Sequence, residues 1–250
     1  MPASDPGGPP ALPTTPATPA GPAGPGVAGP AAATCRGVAV DYRVAAGVVH
    51  AVRDADADFP TGRLSVLAGP SGSGKSSLLR ALAGLQRPSA GRIVVGGVDV
   101  TQLRPGGRRR LRRRTMGVVL QDPSDNLLDY LRAREQVELA AQLRGASPDG
   151  TAALLAALGL SHRTESFPDE LSGGEQQRVA FAAAAIGDPT LLLADEPTAQ
   201  LDLAAGATLV EAMRTLVDRG ATLVVASHDP AVIEAADHVV TLEDGEVQPS

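Results

Sequence analysis

Tryptophan is missing from this 250-residue chain, and two tyrosines and three phenylalanines are its only aromatics. A core must therefore be assembled from Val, Leu, Ile and Ala, and each aromatic stands out. Cysteine is nearly absent too. The single Cys35 excludes an internal disulfide framework, fits a reducing compartment and is expected to be inert. No run of about 18 apolar residues occurs, so no segment is expected to span a membrane as a helix. Positive charge is in deficit: the net charge of −6 argues against a general nucleic-acid binder, and no nucleic-acid partner is expected. One stretch opposes that balance. "RRRLRRR", Arg108 to Arg114, reads as the solvated basic face of a helix or loop, or as a surface for an anionic partner such as lipid headgroups or a protein.

Proline, alanine, glycine and threonine make up nearly all of residues 1–34. With no apolar periodicity, that segment reads as a disordered, partly polyproline-like tail. It lacks the basic start and apolar centre of a secretory signal. Residues 35–250 then form one domain. Within it, short apolar runs alternate with helical patterns: "RLSVLAG" as a strand, "KSSLLRALAGL" as a helix, "GRIVVGGVDV" as strand, turn and strand, and "TMGVVLQD" as a strand ending at Gln121. Helical spacing is expected over 126–145, then in "TAALLAALGL" and "QQRVAFAAAAIG". "TLLLADEP" is a buried parallel strand, followed by a helix, the strand "GATLVVASHD", another helix, and a hairpin turning near Gly245. The alternation in the first and last thirds predicts an α/β fold with a parallel sheet covered by helices on both faces. The helical middle, about 123–175, reads as an insertion.

Gly69, Gly74, Lys75 and Ser76 match the phosphate-loop pattern G-x-x-x-x-G-K-[ST], between an apolar strand and a helix. In such a loop, here Gly69, Pro70, Ser71, Gly72, Ser73 and Gly74, the backbone N–H groups curl round a β-phosphate. Lys75 reaches the β and γ oxygens, the Ser76 hydroxyl binds Mg²⁺, and Ser77 can reach the α-phosphate. Asp195 ends the buried strand, where it can hold Mg²⁺ directly or through water. Glu196 comes next, points differently, and can accept a proton from an attacking water. Solvated carboxylates would be the bland reading, but four apolar residues precede them and Pro197 follows. These residues point to an ATPase using ATP and Mg²⁺.

"ELSGGEQQRV", Glu170 to Val179, adds a second helix start suited to an anion, which a single ATPase site would not need. It resembles the signature motif of ATP-binding cassette (ABC) ATPases, and other elements of that family follow in order. Gln121 resembles the Q-loop glutamine, "TAQLD" ending at Asp202 the D-loop, and His228 in "VVASHD" the switch histidine. Tyr42, 33 residues before Lys75, resembles the aromatic that stacks on adenine. The resemblance covers about residues 36–247. It implies a P-loop NTPase (RecA-like) core, an antiparallel β subdomain and an inserted helical subdomain. It also implies a head-to-tail dimer in which Ser172, Gly173 and Gly174 of one copy face the nucleotide on the phosphate loop of the other. By the same resemblance Gln121 joins Ser76 and Asp195 at the metal, and His228 contacts the γ-phosphate, while His50, His162 and His238 are ordinary. Two positions depart from the family's habit: Ala199 where many members have Gly, and Ala183 where Arg is common.

The resemblance further implies a peripheral ATPase on the cytoplasmic side of the cell membrane, powering separate permease subunits. "NLLDYLRAREQVELA" is similar to the lipoprotein-releasing and macrolide-efflux branch, whose permeases have a large extracytoplasmic domain. "QDPSDN" departs toward importer cassettes. The alternative class is a non-transport ABC ATPase in repair, translation or assembly.

Overall fold

The computed structural model describes residues 31–45 and 47–249. Two sheets are present among them. The smaller is antiparallel, with the order β2 (Gly47–Pro60), β1 (Ala31–Val44), β4 (Ala90–Val95), β5 (Val98–Asp99). The larger runs β10 (Glu246–Val247), β9 (His238–Glu243), β3 (Leu64–Ala68), β8 (Leu223–Ser227), β7 (Leu191–Asp195), β6 (Met116–Val119). Its strands pair in parallel except at the β9–β10 edge. The helices are α1 (Lys75–Leu82), α2 (Pro105–Thr115), α3 (Ala133–Arg144), α4 (Thr151–Ala157), α5 (Gly173–Ala185), α6 (Leu203–Asp218) and α7 (Pro230–Glu234).

Strands β3, β7 and β8 of the large sheet are buried on both faces, which is why they read as continuous apolar runs. Alternate residues go opposite ways. Leu192, Ala194, Leu223 and Val225 join a core with α3, α4, α5 and α6. Leu191, Leu193, Val224 and Ala226 join another with α1 and the small sheet. With almost no aromatics, the largest core side chains beyond Phe59 and Phe181 are Leu and Ile. Cys35 is fully buried in the second core, and burial pushes its thiol up to about 12, so it stays protonated and unreactive.

Two expectations change. Residues 31–34, assigned to the tail, belong to β1: Ala32 and Ala33 are buried, and Ala33 pairs with both Phe59 and Val95. Alanines are small enough to seat a strand under a neighbouring sheet edge, whatever their compositional company. Residues 1–30 lie outside the described residues. The helix expected over 126–145 starts only at Ala133. Gln136 instead folds the preceding segment into a turn, accepting from Leu128 N–H and donating to the carbonyls of Leu128 and Leu131. Ala133 and Arg134 donate their own N–H groups to Ser166 and Thr164. His50, read as ordinary, is an exposed side chain with Nδ1 2.8 Å from Asp41 Oδ1. The basic run forms α2, which passes into β6 with no intervening residue.

Candidate functional site

Strand parity builds the site. The side of β7 that carries Leu191 and Leu193 faces α1, and Asp195, two residues on, keeps that direction. It meets Ser76 on the first turn of α1, whose hydroxyl donates to Asp195 Oδ1 at 2.6 Å. Glu196 leaves the strand in the left-handed region, at φ 43°, with its N–H still tied to Ala226 O at 2.8 Å. That turn swings its carboxylate toward Lys75 and His228. Lys75 Nζ lies 3.3 Å from Oε1, and His228 Nδ1 lies 3.0 Å from each oxygen. Lys75 is almost wholly buried and donates also to Gly69 O at 2.9 Å and Pro70 O at 3.0 Å, so its ammonium is shared between two loop carbonyls and Glu196.

The loop itself admits little change. A Cβ on Gly74 would lie 2.2 Å from Ala51 O, and φ is 103° there. Together Ser71, Gly72, Gly74, Lys75, Ser76, Ser77, Gln121, Glu196 and His228 line a cleft of about 270 Å³, with Ala51 and Ala199 completing its wall. Tyr42 reaches the edge through its hydroxyl, 3.2 Å from Ser77 Oγ.

The second helix start is elsewhere. Ser172 caps α5: its hydroxyl accepts from Glu175 N–H at 3.3 Å, and Glu175 Oε2 accepts from Ser172 N–H at 2.9 Å. Ser172 and Gly173 are exposed, and neither they nor Gly174 line the cleft. Gly174 is pressed on α6, where a Cβ would stand 3.0 Å from Ala205 Cβ. Asp202 caps α6, accepting from Ala205 N–H at 2.8 Å. Burial raises the Glu175 pKa, but Ser172 and the Arg163 guanidinium at 2.9 Å outweigh it, holding the carboxyl below its ordinary value.

Three residues of this neighbourhood carried no signal of their own in the sequence reading. Gln177, fully buried on α5, donates toward the carbonyls of Leu120, Gln121 and Pro197. Arg144 sends its guanidinium to the carbonyls of Ala183, Ile186 and Met116. Arg80 stands 3.9 Å from Asp195. Their partners are backbone oxygens or residues far along the chain, which no local pattern marks.

A profile of the family described as ABC transporter matches residues 52–199. The chain belongs to the ABC transporter family. It is 39% identical over 218 residues to a lipoprotein-releasing system ATP-binding protein, LolD 2, of Caulobacter vibrioides, covering 85% of this chain and 95% of that one. It is also 39% identical over 216 residues to the macrolide export ATP-binding/permease protein MacB 1/2 of Paracoccus denitrificans, where 85% of this chain matches but only 32% of the relative's length. Among solved structures, the ATP-binding cassette MJ0796, a dimer in a post-hydrolysis state bound to ADP and Pi, superposes with a TM-score of 0.77 at 30% identity, over 87% of this chain and 97% of that one. The cassette is therefore an ABC-type ATPase that binds ATP. Its named relatives belong to transport systems, which supports a transport role over repair, translation or assembly.

Proposed function

We propose that this cassette works as a head-to-tail pair of identical subunits, hydrolysing two ATP molecules held between them to drive separate permease subunits from the cytoplasmic side of the membrane. One observation carries the reading. The chain presents a phosphate-loop cleft and an exposed, capped helix start at Ser172, and the second does not line the first. A second copy supplies the missing half.

In that arrangement Lys75 leaves the carbonyls of Gly69 and Pro70 for the β- and γ-phosphates, and in doing so releases Glu196. Glu196 then accepts a proton from the attacking water, and His228, which shares that carboxylate, turns to the γ-phosphate. Tyr42 stacks on the adenine, Ser77 meets the α-phosphate, and Gln121 closes the cleft wall. Ser172, Gly173, Gly174 and Asp202 act on the partner's nucleotide. The Ser76 hydroxyl and Asp195 carboxylate, 2.6 Å apart, are the hard oxygen pair that Mg²⁺ prefers. No cluster of three or more His, Cys, Asp or Glu fit for a metal exists among the described residues, which suits an ion leaning on phosphates and water. When bound, Mg²⁺ neutralises phosphate charge; Ser76 and Asp195 would hold it, with Gln121 beside them.

The permease surface follows from charge. A groove of about 690 Å³ between α2, α3 and α5 has a floor of Ala140, Ala180, Ala183 and Ala184 and walls of Arg109, Arg110, Arg112, Arg113 and Arg144, with no carboxylate among its lining residues. Burial first, then the charges of Arg108 and Arg109, hold Arg112 below its ordinary pKa, so the cluster is short of negative partners. An acidic cytoplasmic segment of the permease fits it. Peripheral attachment is the matching mode, since no helix among the described residues is long and apolar enough to cross a membrane. A permease with a large extracytoplasmic domain is the partner implied by the similarity of "NLLDYLRAREQVELA" to the lipoprotein-releasing and macrolide-efflux branch.

A covalently linked dimer tests the shared site. Lys75→Ala on one half with Ser172→Arg on the other damages one composite site and spares its twin; both changes on one half damage both sites. The first arrangement should retain ATP-driven closure that the second loses. Equal behaviour would end the shared-site reading.

A further inference from the structure

The Gln177 amide lies where three segments meet. Its helix, α5, is capped by Ser172, five residues earlier. Its Nε2 is 3.2 Å from Gln121 O, 3.3 Å from Pro197 O and 3.5 Å from Leu120 O. Gln121 lines the cleft, and Pro197 is the residue after Glu196. The side chain is wholly buried, and its Oε1 has no partner. Turning the amide over would set that oxygen against three carbonyls, so the N–H groups face them. Retaining an orphaned buried oxygen only makes sense if the two donors matter.

Two N–H groups serve three acceptors. Leu120 O is also supplied by Asn126 Nδ2 at 3.0 Å, and Asn126 in turn lines the arginine groove. The amide can therefore follow either side: toward Leu120 and Gln121 at the end of β6, or toward Pro197 at the turn that holds Glu196 in its left-handed conformation.

We propose that Gln177 is a positioning residue for hydrolysis. It fixes the turn bearing Glu196 relative to the Gln121 segment and to α5, so that the base is aligned only when the Ser172 end of that helix is seated. It touches no reacting atom and acts through the backbone of Pro197 and Gln121. This rests on the ATPase reading of the cleft.

The test is steady-state ATP hydrolysis by the full chain and two variants, with fluorescent-nucleotide binding and thermal melting measured alongside. Gln177→Met fills the volume without a donor. Its kcat should fall roughly 10- to 100-fold, the scale of an ångström's misplacement, with KM and nucleotide affinity little changed. Gln177→Glu keeps the shape, and this buried acid, facing three carbonyls, is driven to its neutral form as pH falls, regaining one O–H donor. Its kcat relative to the parent should therefore rise as pH is lowered from about 8.5 to 6.5, which a packing defect would not produce. If Gln177→Met fails to fold, that pH-dependent ratio alone decides. A Gln177→Met enzyme at the parent's kcat, or a flat ratio for Gln177→Glu, overturns the proposal. A parent chain without ATP hydrolysis would instead overturn the cleft's reading.

Discussion

At the level of single residues, Glu196 carries the most information. A non-glycine residue at φ 43° is held there by its surroundings, here the bond to Ala226 O and the side chains of Lys75 and His228. The conformation explains how adjacent carboxylates serve different ends: Asp195 continues the strand toward Ser76, and Glu196 turns away. Their chemical types and order were legible in the sequence, because a strand's parity separates neighbours. The turn itself was not, since it depends on β8 lying alongside. Glu196→Gln keeps the shape and removes the base, so ATP should still bind while turnover falls by about 10²- to 10⁴-fold. Light scattering should then find an ATP-dependent dimer. Hydrolysis at the parent rate would assign the base elsewhere.

Among the elements, α5 links most of the chemistry. Its start is a reciprocal cap between Ser172 and Glu175, clamped by Arg163. The S-x-x-E spacing could be read directly from the sequence, whereas Arg163 could not, because it arrives from the loop before the helix. Glu175→Ala removes the carboxylate half of the cap and the clamp while the Ser172 hydroxyl keeps its backbone partner, and should cost about 1 kcal/mol in a chemical-denaturation curve. The carboxyl's folded pKa lies below its unfolded value, so its contribution is complete above the ordinary carboxylate range and is lost as pH falls through the folded pKa. The stability gap between parent and Glu175→Ala should therefore close in acid. Periodicity located α5 and the buried strands well. It misplaced the start of α3, where Gln136 side-chain bonds override the spacing of Leu127 and Leu128.

For the molecule as a whole, composition was a poor guide to its first edge. Ala31–Ala33 resemble their neighbours in sequence, yet they pair with β2 and, at Ala33, with β4. A chain beginning at Cys35 should thus melt several degrees below one beginning at Ala31, given about 2–4 °C per kcal/mol for a protein of this size. Equal melting temperatures would mean that the pairing adds nothing. The sheet order and the separation of the two helix starts depend on long-range contacts; the family resemblance anticipated only the second, through its head-to-tail dimer.

The direct passage of α2 into β6 leaves no loop between those two elements. Thr115 ends the helix, Met116 begins the strand, and Val119, its last residue, is two positions from Gln121. Pressure on the arginine end has no slack loop to absorb it, so it arrives at the nucleotide's wall as displacement. Thr115 and Met116 are in effect a mechanical coupling. Two glycines inserted between them should act as a clutch: ATP hydrolysis by the cassette alone would continue, while the change in rate brought by the permease would vanish.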